Sequence, residues 1–269
     1  MKISKSFYKL DSNNNKRIIM LSDIHYFNKN IIPNLYEILE SLKKLNPDYI
    51  CIVGDLVDDK NIRNQELLVK WIKDLSKICK IFISLGNHDF YYNHKPEDNY
   101  DKELFNKIDS LKDVYVLDNQ VHSEYGINFI GVTLPNDYYD NGEDKDDLIY
   151  FMNKKYPFLS KGYNIMLIHS PYRISDKNVL KKIKCYKNID LILSGHMHGG
   201  LTFNFLKKIL KGRGIINPQK GMFRKFCYGS YIVDKTSIII STGITKLSKS
   251  HKIGIFDFLY DSEIVIIDL

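Results

Sequence analysis

Short apolar runs of strand length alternate with amphipathic helical stretches through the first half of this chain. The runs cover residues 18–22, 48–53 and 81–85, and between them apolar residues recur at helical spacing over 33–45 and 67–78. Successive strands joined through helices require right-handed crossovers, so they form a mainly parallel sheet that is covered on both faces. The alternation therefore predicts an α/β fold.

The second half contains more strands and fewer helices. Apolar runs occur at 114–117, 127–132, 163–168 and 191–193, and the last part reads as strands only, at 228–233, 237–241, 253–258 and 264–267. This pattern predicts a second, more antiparallel sheet. The 269 residues contain no recognisable linker, so we expect a single domain over 1–269.

The composition excludes several protein classes. Hydrophobic residues make up 44% of the chain, but the apolar runs stop far short of the roughly 20 residues that a membrane span needs. The first ten residues mix lysines with apolar residues and do not resemble a secretory signal. The four cysteines are isolated, which indicates free thiols in a reducing compartment. We therefore expect a cytoplasmic protein, with peripheral attachment to a membrane as the alternative.

The excess of positive charge is concentrated in one segment. Lysine and arginine exceed aspartate and glutamate by 39 − 32 = 7, and residues 202–228, here called the basic segment, contain seven bases and no acid: Lys207, Lys208, Lys211, Arg213, Lys220, Arg224 and Lys225. Without this segment the chain would be nearly neutral, so specific nucleic-acid binding is not expected. We expect the basic segment to attract an anionic substrate, and an anionic membrane surface is the alternative partner.

Residues of metal-ligand type follow five of the predicted strands directly. They are Asp23, His25, Asp55, Asn87, His169, His196 and His198. In open α/β sheets, ligands bind beyond the carboxyl ends of the strands, so these five segments can converge on one crevice. The sequence therefore predicts one shared site.

The chemistry of these seven side chains indicates which ions they would bind. They offer carboxylates, imidazoles and a carboxamide but no thiolate, a set that suits manganese, iron, zinc or cobalt. Seven ligands are more than one tetrahedral ion uses, whereas two ions that share a carboxylate would use them all. Two metal ions about 3.5–4 Å apart form a site that many enzymes use to hydrolyse phosphate esters. We therefore predict a binuclear hydrolase.

The ordered blocks resemble the calcineurin-like metallophosphoesterase superfamily. They read Asp23-x-His25, Gly54-Asp55-x-x-Asp58, Gly86-Asn87-His88-Asp89, His169 and Gly195-His196-x-His198. The later stretches Gly199-Gly200, Cys227-Tyr228-Gly229 and Ser241-Thr242-Gly243 resemble its bacterial membrane-associated branch, of the YkuE and YaeI phosphodiesterase type. The superfamily resemblance implies a four-layer αββα sandwich, with two mixed β-sheets flanked by helices and the metal site at the C-terminal ends of the strands.

The resemblance also implies a role for each residue. One ion would be held by Asp23, His25, Asp55 and His198, and the other by Asp55, Asn87, His169 and His196, so that Asp55 bridges them. His88 and Asp89 would be the catalytic residues that are not metal ligands. His88 would face the substrate phosphate and protonate or steady the leaving oxygen, while Asp89 would orient the His88 ring. Asp58 would contact the ligand residues but not the ions.

The implied reaction is hydrolysis of an anionic phosphate-ester substrate, either a phosphodiester or a phosphomonoester. A water between the two cations would lose a proton near neutral pH, and the hydroxide would attack phosphorus in line. Two alternatives remain open at this point. One is a pyrophosphatase that cleaves a nucleotide-linked lipid at a membrane surface, suggested by the basic segment, and the other is a non-catalytic metal-binding scaffold.

Overall fold

Two six-stranded β-sheets form the centre of the computed structural model. The structure describes residues 3–26, 33–57, 65–89, 102–135, 138–139, 145–174, 176–202, 204–217, 221–222, 225–244 and 262–269. Within them the strands are β1 Ile3–Lys9, β2 Arg17–Leu21, β3 Tyr49–Val53, β4 Lys80–Ser84, β5 Val114–Val116, β6 Val121–Glu124, β7 Ile127–Val132, β8 Tyr163–Ile168, β9 Leu191–Ser194, β10 Ile216–Asn217, β11 Gly221–Met222, β12 Gly229–Val233, β13 Thr236–Ile240 and β14 Ser262–Asp268.

Helices connect several of these strands. They are α1 Pro33–Leu45, α2 Gln65–Ser76, α3 Lys102–Asp109, α4 Lys145–Lys155, α5 Lys177–Leu180 and α6 Asn204–Leu210, with 3₁₀ turns at Tyr186–Asn188 and His198–Leu201. Among the described residues, no helix is both long enough and apolar enough to cross a membrane.

Both sheets are mixed. The first has the order β1-β14-β2-β3-β4-β5, and only the β14–β2 pair in it is antiparallel. The second has the order β12-β13-β9-β8-β7-β6, with antiparallel pairs at its two edges and parallel pairs in its centre. The second sheet therefore has more antiparallel pairs than the first, as predicted. Its parallel centre is what places the ends of β8 and β9 at the same edge.

Aromatic and aliphatic side chains fill the space between the sheets. Residues of β2, β3 and β4 that point inward, such as Met20, Cys51 and Phe82, pack against Phe129 and Leu167 of the second sheet. The rings of Phe82 and Phe129 stack with centroids 3.8 Å apart. The alternate residues of the first-sheet strands face outward, so each central strand is buried on both sides and reads as a continuous apolar run.

The outer face of each sheet is covered by helices. On the first sheet, α1, α2 and α3 bury Ile38, Trp71 and Phe105 against outward-facing residues of β2, β3 and β4. On the second sheet, α4 and α5 bury Met152 and Leu180. The layers therefore run helix, sheet, sheet, helix, which confirms the predicted four-layer α/β fold with two mixed sheets.

Two edge strands were not predicted, and one predicted strand cannot be compared. β1 and β6 have exposed or half-buried side chains, as edge strands often do, and so they lack the apolar run on which the prediction relied. The predicted strand at 253–258 lies outside the described residues. That the chain is one domain over 1–269 stays a prediction.

The first testable prediction concerns a buried hydroxyl in the second sheet. Tyr156, which follows α4, is 3% exposed and donates a hydrogen bond of 2.6 Å to the carbonyl oxygen of Gly131. Tyr156→Phe leaves that carbonyl without this donor, so we expect the free energy of unfolding to fall by about 1–2 kcal/mol. Urea denaturation measures the change. The exposed Tyr150 provides the control, and Tyr150→Phe should change stability by less than about 0.5 kcal/mol.

Candidate metal centre

The seven predicted ligands lie at the carboxyl ends of strands from both sheets. The first sheet supplies Asp23 and His25 after β2, Asp55 after β3 and Asn87 after β4. The second supplies His169 after β8, and His196 and His198 after β9. Because these strand ends lie at one end of the sandwich, residues up to 175 positions apart in sequence (198 − 23) come together.

The side chains form three overlapping groups, in each of which the candidate ligand atoms lie within 4.8 Å of one another. The groups are Asp23, His25 and His198; His25, Asp55 and His88; and Asp55, His169 and His196. Asp55 and His25 each belong to two of them, and of the two only Asp55 has a carboxylate, whose two oxygens can bridge two ions. His88, for which the sequence predicts a contact with the substrate, also lies within the second group.

Individual distances show how close the ligand atoms are. Asp55 Oδ2 lies 3.0 Å from His169 Nε2 and 3.6 Å from His25 Nε2. On the other side, His198 Nε2 lies 3.3 Å from His25 Nε2 and 3.4 Å from Asp23 Oδ1. Three imidazole nitrogens and two carboxylates that converge in this way provide a concentrated set of lone pairs.

Three nitrogen or oxygen atoms of the ligand residues are buried without a hydrogen-bond partner among the described residues: Asn87 Oδ1, His198 Nδ1 and His169 Nε2, the last of which lies 3.0 Å from Asp55 Oδ2. The other ring nitrogen of His169 lies 3.0 Å from the carbonyl oxygen of Val53. A carbonyl only accepts, so Nδ1 carries the proton and Nε2 presents its lone pair to the centre in the neutral ring. Buried polar atoms without partners are rare in proteins. The donor set therefore fits the metal ions that the sequence predicts.

The backbone at these residues is strained in a consistent way. Asp23, His25, Asp55, His196 and His198 all have positive φ, between 45° and 67°. Non-glycine residues seldom adopt this left-handed conformation, and it concentrates at functional sites. Here the turn directs side chains from the strand ends into one small volume.

Two glycines make the close approach of these loops possible. A Cβ at Gly54, whose φ is +71°, would collide with the His169 ring, and a Cβ at Gly86 would collide with the backbone nitrogen and carboxylate of Asp55. Glycine is therefore required at both positions by the space available. The Gly-Asp and Gly-Asn pairs in the sequence thus have a steric explanation.

Backbone N–H groups fix two of the carboxylates. Asp23 accepts from the N–H of His196 at 3.0 Å, and Asp55 Oδ1 accepts from the N–H of His88 at 2.9 Å. Each bond joins loops that follow different strands. The carboxylates are therefore held in place by the loops that carry the other ligands.

Asp89 has a different set of contacts from the one expected. Its two oxygens accept from the backbone N–H groups of Gly86, at 2.7 Å, and Val57, at 3.1 Å. Asp89 thus ties the loop after β4 to the loop after β3. These contacts position Asp55 and Asn87, whereas a role in orienting the His88 ring stays a prediction.

Some residues were missed and some cannot be placed. The Tyr139 ring packs 5.4 Å from the His196 ring, and nothing in the local sequence pointed to it. The Val53 carbonyl, which orients His169, belongs to an ordinary apolar strand. Asp58 lies outside the described residues, as do Lys220 and Arg224 of the basic segment.

Electrostatics set the protonation state of the histidines. Burial lowers the pKa of His196 to about 3 and that of His198 to about 4, so both rings are neutral at physiological pH. Burial also acts to lower the pKa of His169, but attraction to Asp55 and Asp23 outweighs it and raises this pKa to about 9. The same pairing holds the pKa of Asp55 well below its usual range, against the opposing effect of burial.

The second prediction follows from the His169 pKa. Without an ion, His169 holds a proton up to about pH 9, and an ion must displace it to reach Nε2. His196 and His198 are already neutral above about pH 5, so neither adds to this proton release. Apparent Mn²⁺ affinity should therefore rise by as much as about tenfold per pH unit between pH 6 and 9. Chelator competition at several pH values measures it, and an affinity that does not change with pH would contradict it.

Several bacterial proteins are similar to this chain in sequence. A metallophosphoesterase of Campylobacter jejuni is 29% identical over 262 residues, which cover 94% of this chain and 59% of that protein. A metallophosphoesterase of Helicobacter pylori is 28% identical over 194 residues, or 70% of this chain and 46% of that protein. A Coxiella burnetii protein named a probable cyclic nucleotide phosphodiesterase is 25% identical over 209 residues, which cover 70% of this chain and 78% of that protein. The chain thus spans about half the length of the first two relatives.

Comparison with solved structures supports the fold. TT1561 of Thermus thermophilus matches with a TM-score of 0.50 at 13% identity, covering 86% of this chain and 90% of that one. The family model for calcineurin-like phosphoesterases matches residues 16–200, which contain all seven predicted ligands. The chain therefore belongs to the calcineurin-like phosphoesterase family.

Proposed function

We propose that this chain hydrolyses phosphodiester or phosphomonoester bonds with a pair of metal ions. The observation that carries the proposal is the position of Asp55, whose carboxylate is shared by two groups of candidate ligands. Family membership supports a metal-dependent phosphoesterase, and the shared carboxylate supports two ions rather than one.

In this proposal the ligands divide as the resemblance implies. Asp23, His25, Asp55 and His198 would hold one ion, and Asp55, Asn87, His169 and His196 would hold the other. When bound, such ions lower the pKa of a coordinated water towards neutrality and offset negative charge on phosphate oxygens. All seven residues offer nitrogen or oxygen, so manganese, iron, zinc and cobalt are all compatible with the site.

His88 is the residue best placed to act on the substrate. It is half-buried, whereas Asp23, Asp55 and His169 are fully buried, so it is more accessible to a phosphate that enters from solvent. Its ring lies 4.8 Å from that of His25, and its N–H is held by Asp55. A ring at this position can donate a proton to the leaving oxygen, which has no other acid assigned to it.

A diester is the first substrate to test, because the Coxiella burnetii relative is named a probable cyclic nucleotide phosphodiesterase. The full chain would be loaded with Mn²⁺ and assayed on bis(p-nitrophenyl) phosphate and p-nitrophenyl phosphate, with bound metal measured in parallel. We expect two ions per chain and turnover that EDTA abolishes. Two bound ions without turnover of either ester would favour the metal-binding scaffold, and no bound ion would refute the proposal.

The third prediction tests the basic segment. Lys207 and Lys208 on α6, followed by Lys211, come shortly after the ligand His198. Replacing all three with glutamine should raise KM for an anionic ester about threefold at low salt and much less at 0.5 M salt, because salt screens exposed charges. Steady-state kinetics at both ionic strengths measure this.

A matched control removes the same charge elsewhere. Lys44, Lys112 and Lys161 are exposed and lie close to the start of β3, β5 and β8, at the opposite end of the strands from the candidate metal centre. Replacing these three with glutamine should leave KM nearly unchanged. Equal effects of the two triple variants would show that net charge, rather than the basic segment, sets KM. Attachment of the basic segment to an anionic membrane stays a separate prediction.

A further inference from the structure

A second concave site lies at the other end of the molecule. This cleft of about 540 Å³ is lined by residues that precede β8, β9 and β13. The candidate metal ligands follow the opposite ends of β8 and β9. A six-residue strand such as β8 is about 20 Å long, so a ligand in the cleft lies beyond contact with the metal centre.

The cleft is strongly basic. Lys181, Lys184, Lys187 and Lys235 line it, and all four are exposed. Its one acidic lining residue, Asp234, already forms an ion pair with Lys177 of α5. Within the part of the chain that the structure describes, none of the four lining lysines forms an ion pair. Their charges therefore add to a local positive potential that an anion would neutralise.

An aromatic ring lies on the same cleft. Phe158 follows Pro157 and is 86% exposed, which is unusual for so large an apolar side chain. Buried Ile183, Cys185 and Tyr186 also line the cleft. The site thus combines cationic groups with an apolar surface on which a planar ring could stack.

Hydrogen bonds hold the lysine-bearing turn in place before any ligand binds. Asn153 of α4 accepts from the N–H of Lys184 at 2.7 Å and donates to the carbonyl of Lys182 at 3.0 Å. The hydroxyl of Tyr186 donates to the carbonyl of Val233 at 2.6 Å. A turn anchored at both ends loses less conformational entropy when it binds a ligand.

We propose that this cleft binds a nucleoside di- or triphosphate. The phosphates would contact the lysines, chiefly Lys184 and Lys187, and the base would stack on Phe158. The lysines surround one compact cavity instead of forming an extended stripe, which favours a single nucleotide over a nucleic-acid chain. The exposed ring favours a nucleotide over inorganic phosphate.

Binding of the imido analogue of ATP to the full chain tests the proposal. EDTA would be present so that divalent ions cannot bridge the analogue to the metal centre. Calorimetry should give one site, with Kd about tenfold weaker in Lys184→Gln/Lys187→Gln and about fivefold weaker in Phe158→Ala, in the range of one or two lost charge or stacking contacts. Inorganic triphosphate should bind more weakly than the analogue, and Phe158→Ala should not affect it.

Two controls separate this site from the rest of the surface. Lys207→Gln/Lys208→Gln, in the basic segment, should keep the parental Kd, and Lys184→Gln/Lys187→Gln should keep parental turnover of the chromogenic ester. An unchanged Kd in Lys184→Gln/Lys187→Gln would overturn the proposal. So would triphosphate binding as tightly as the analogue, which would remove the role of the base, or a single-stranded oligonucleotide binding more tightly than either.

Discussion

Asp55→Asn is expected to lower turnover of the chromogenic diester by about 10³-fold or more, which corresponds to about 4 kcal/mol in the barrier. Asp55 Oδ2 lies within 3.6 Å of both His169 and His25, and we propose that this carboxylate binds both ions. Asparagine keeps the size of the side chain and an oxygen for the His88 N–H, but it removes the negative charge. Binding of both ions should therefore weaken together.

Kinetics and metal content need to be measured on the same preparations. The exposed Asp11 provides the control, since Asp11→Asn makes the same chemical change before β2, whereas the ligands Asp23 and His25 follow the opposite end of that strand. We expect that variant to retain parental metal content and turnover. An Asp55→Asn protein that keeps two ions and parental kcat would show that Asp55 does not bridge them.

His88→Ala should lower kcat for an alkyl phosphate ester by about 10²–10³-fold, within the usual contribution of a general acid, while metal content stays unchanged. The backbone N–H of residue 88 remains in the variant, so the contact to Asp55 Oδ1 should be kept. KM should change little if the ring acts mainly on the leaving group. The effect should also shrink for esters whose leaving group is already acidic, such as p-nitrophenol, relative to alkyl esters.

This experiment separates two roles that the geometry brings close together. Candidate ligand atoms of His88, His25 and Asp55 lie within 4.8 Å of one another, so His88 could bind an ion instead of the substrate. If His88→Ala loses an ion in proportion to its loss of activity, then His88 is a ligand and its assignment to the leaving group is wrong. His88→Asn, which keeps a polar side chain but cannot transfer a proton, should behave like His88→Ala if the assignment is right.

The sequence predicted the central strands well because they are buried on both sides. Strands β7 and β8 were predicted with the bounds that the structure shows, at Ile127–Val132 and Tyr163–Ile168. Edge strands β1 and β6 gave no such signal, since their polar side chains face solvent. Strand order and the pairing of β14 between β1 and β2 were also beyond reach, because they depend on contacts between distant parts of the chain.

The sequence predicted which side chains form the candidate site but not all the contacts that hold them in place. Position after a strand was enough to select Asp23, Asp55 and His169, since parallel strands end at a common edge. It could not show that Asp89 would bind two backbone N–H groups, because that requires two loops to approach in space. Three lysines of the second cleft lie within residues 181–187 and the fourth, Lys235, lies in the turn between β12 and β13, and only the folded chain brings them together with Phe158.

The stack of Phe82 on Phe129 has a consequence for how this centre could be retuned. The first sheet supplies Asp23, His25, Asp55 and Asn87, and the second supplies His169, His196 and His198. The thickness of the apolar layer between the sheets therefore helps to fix the separation between the two donor sets. A smaller residue at position 129 would let the sheets shift relative to each other. Selectivity among ions of different radius could thereby change through a substitution that touches neither ion nor substrate.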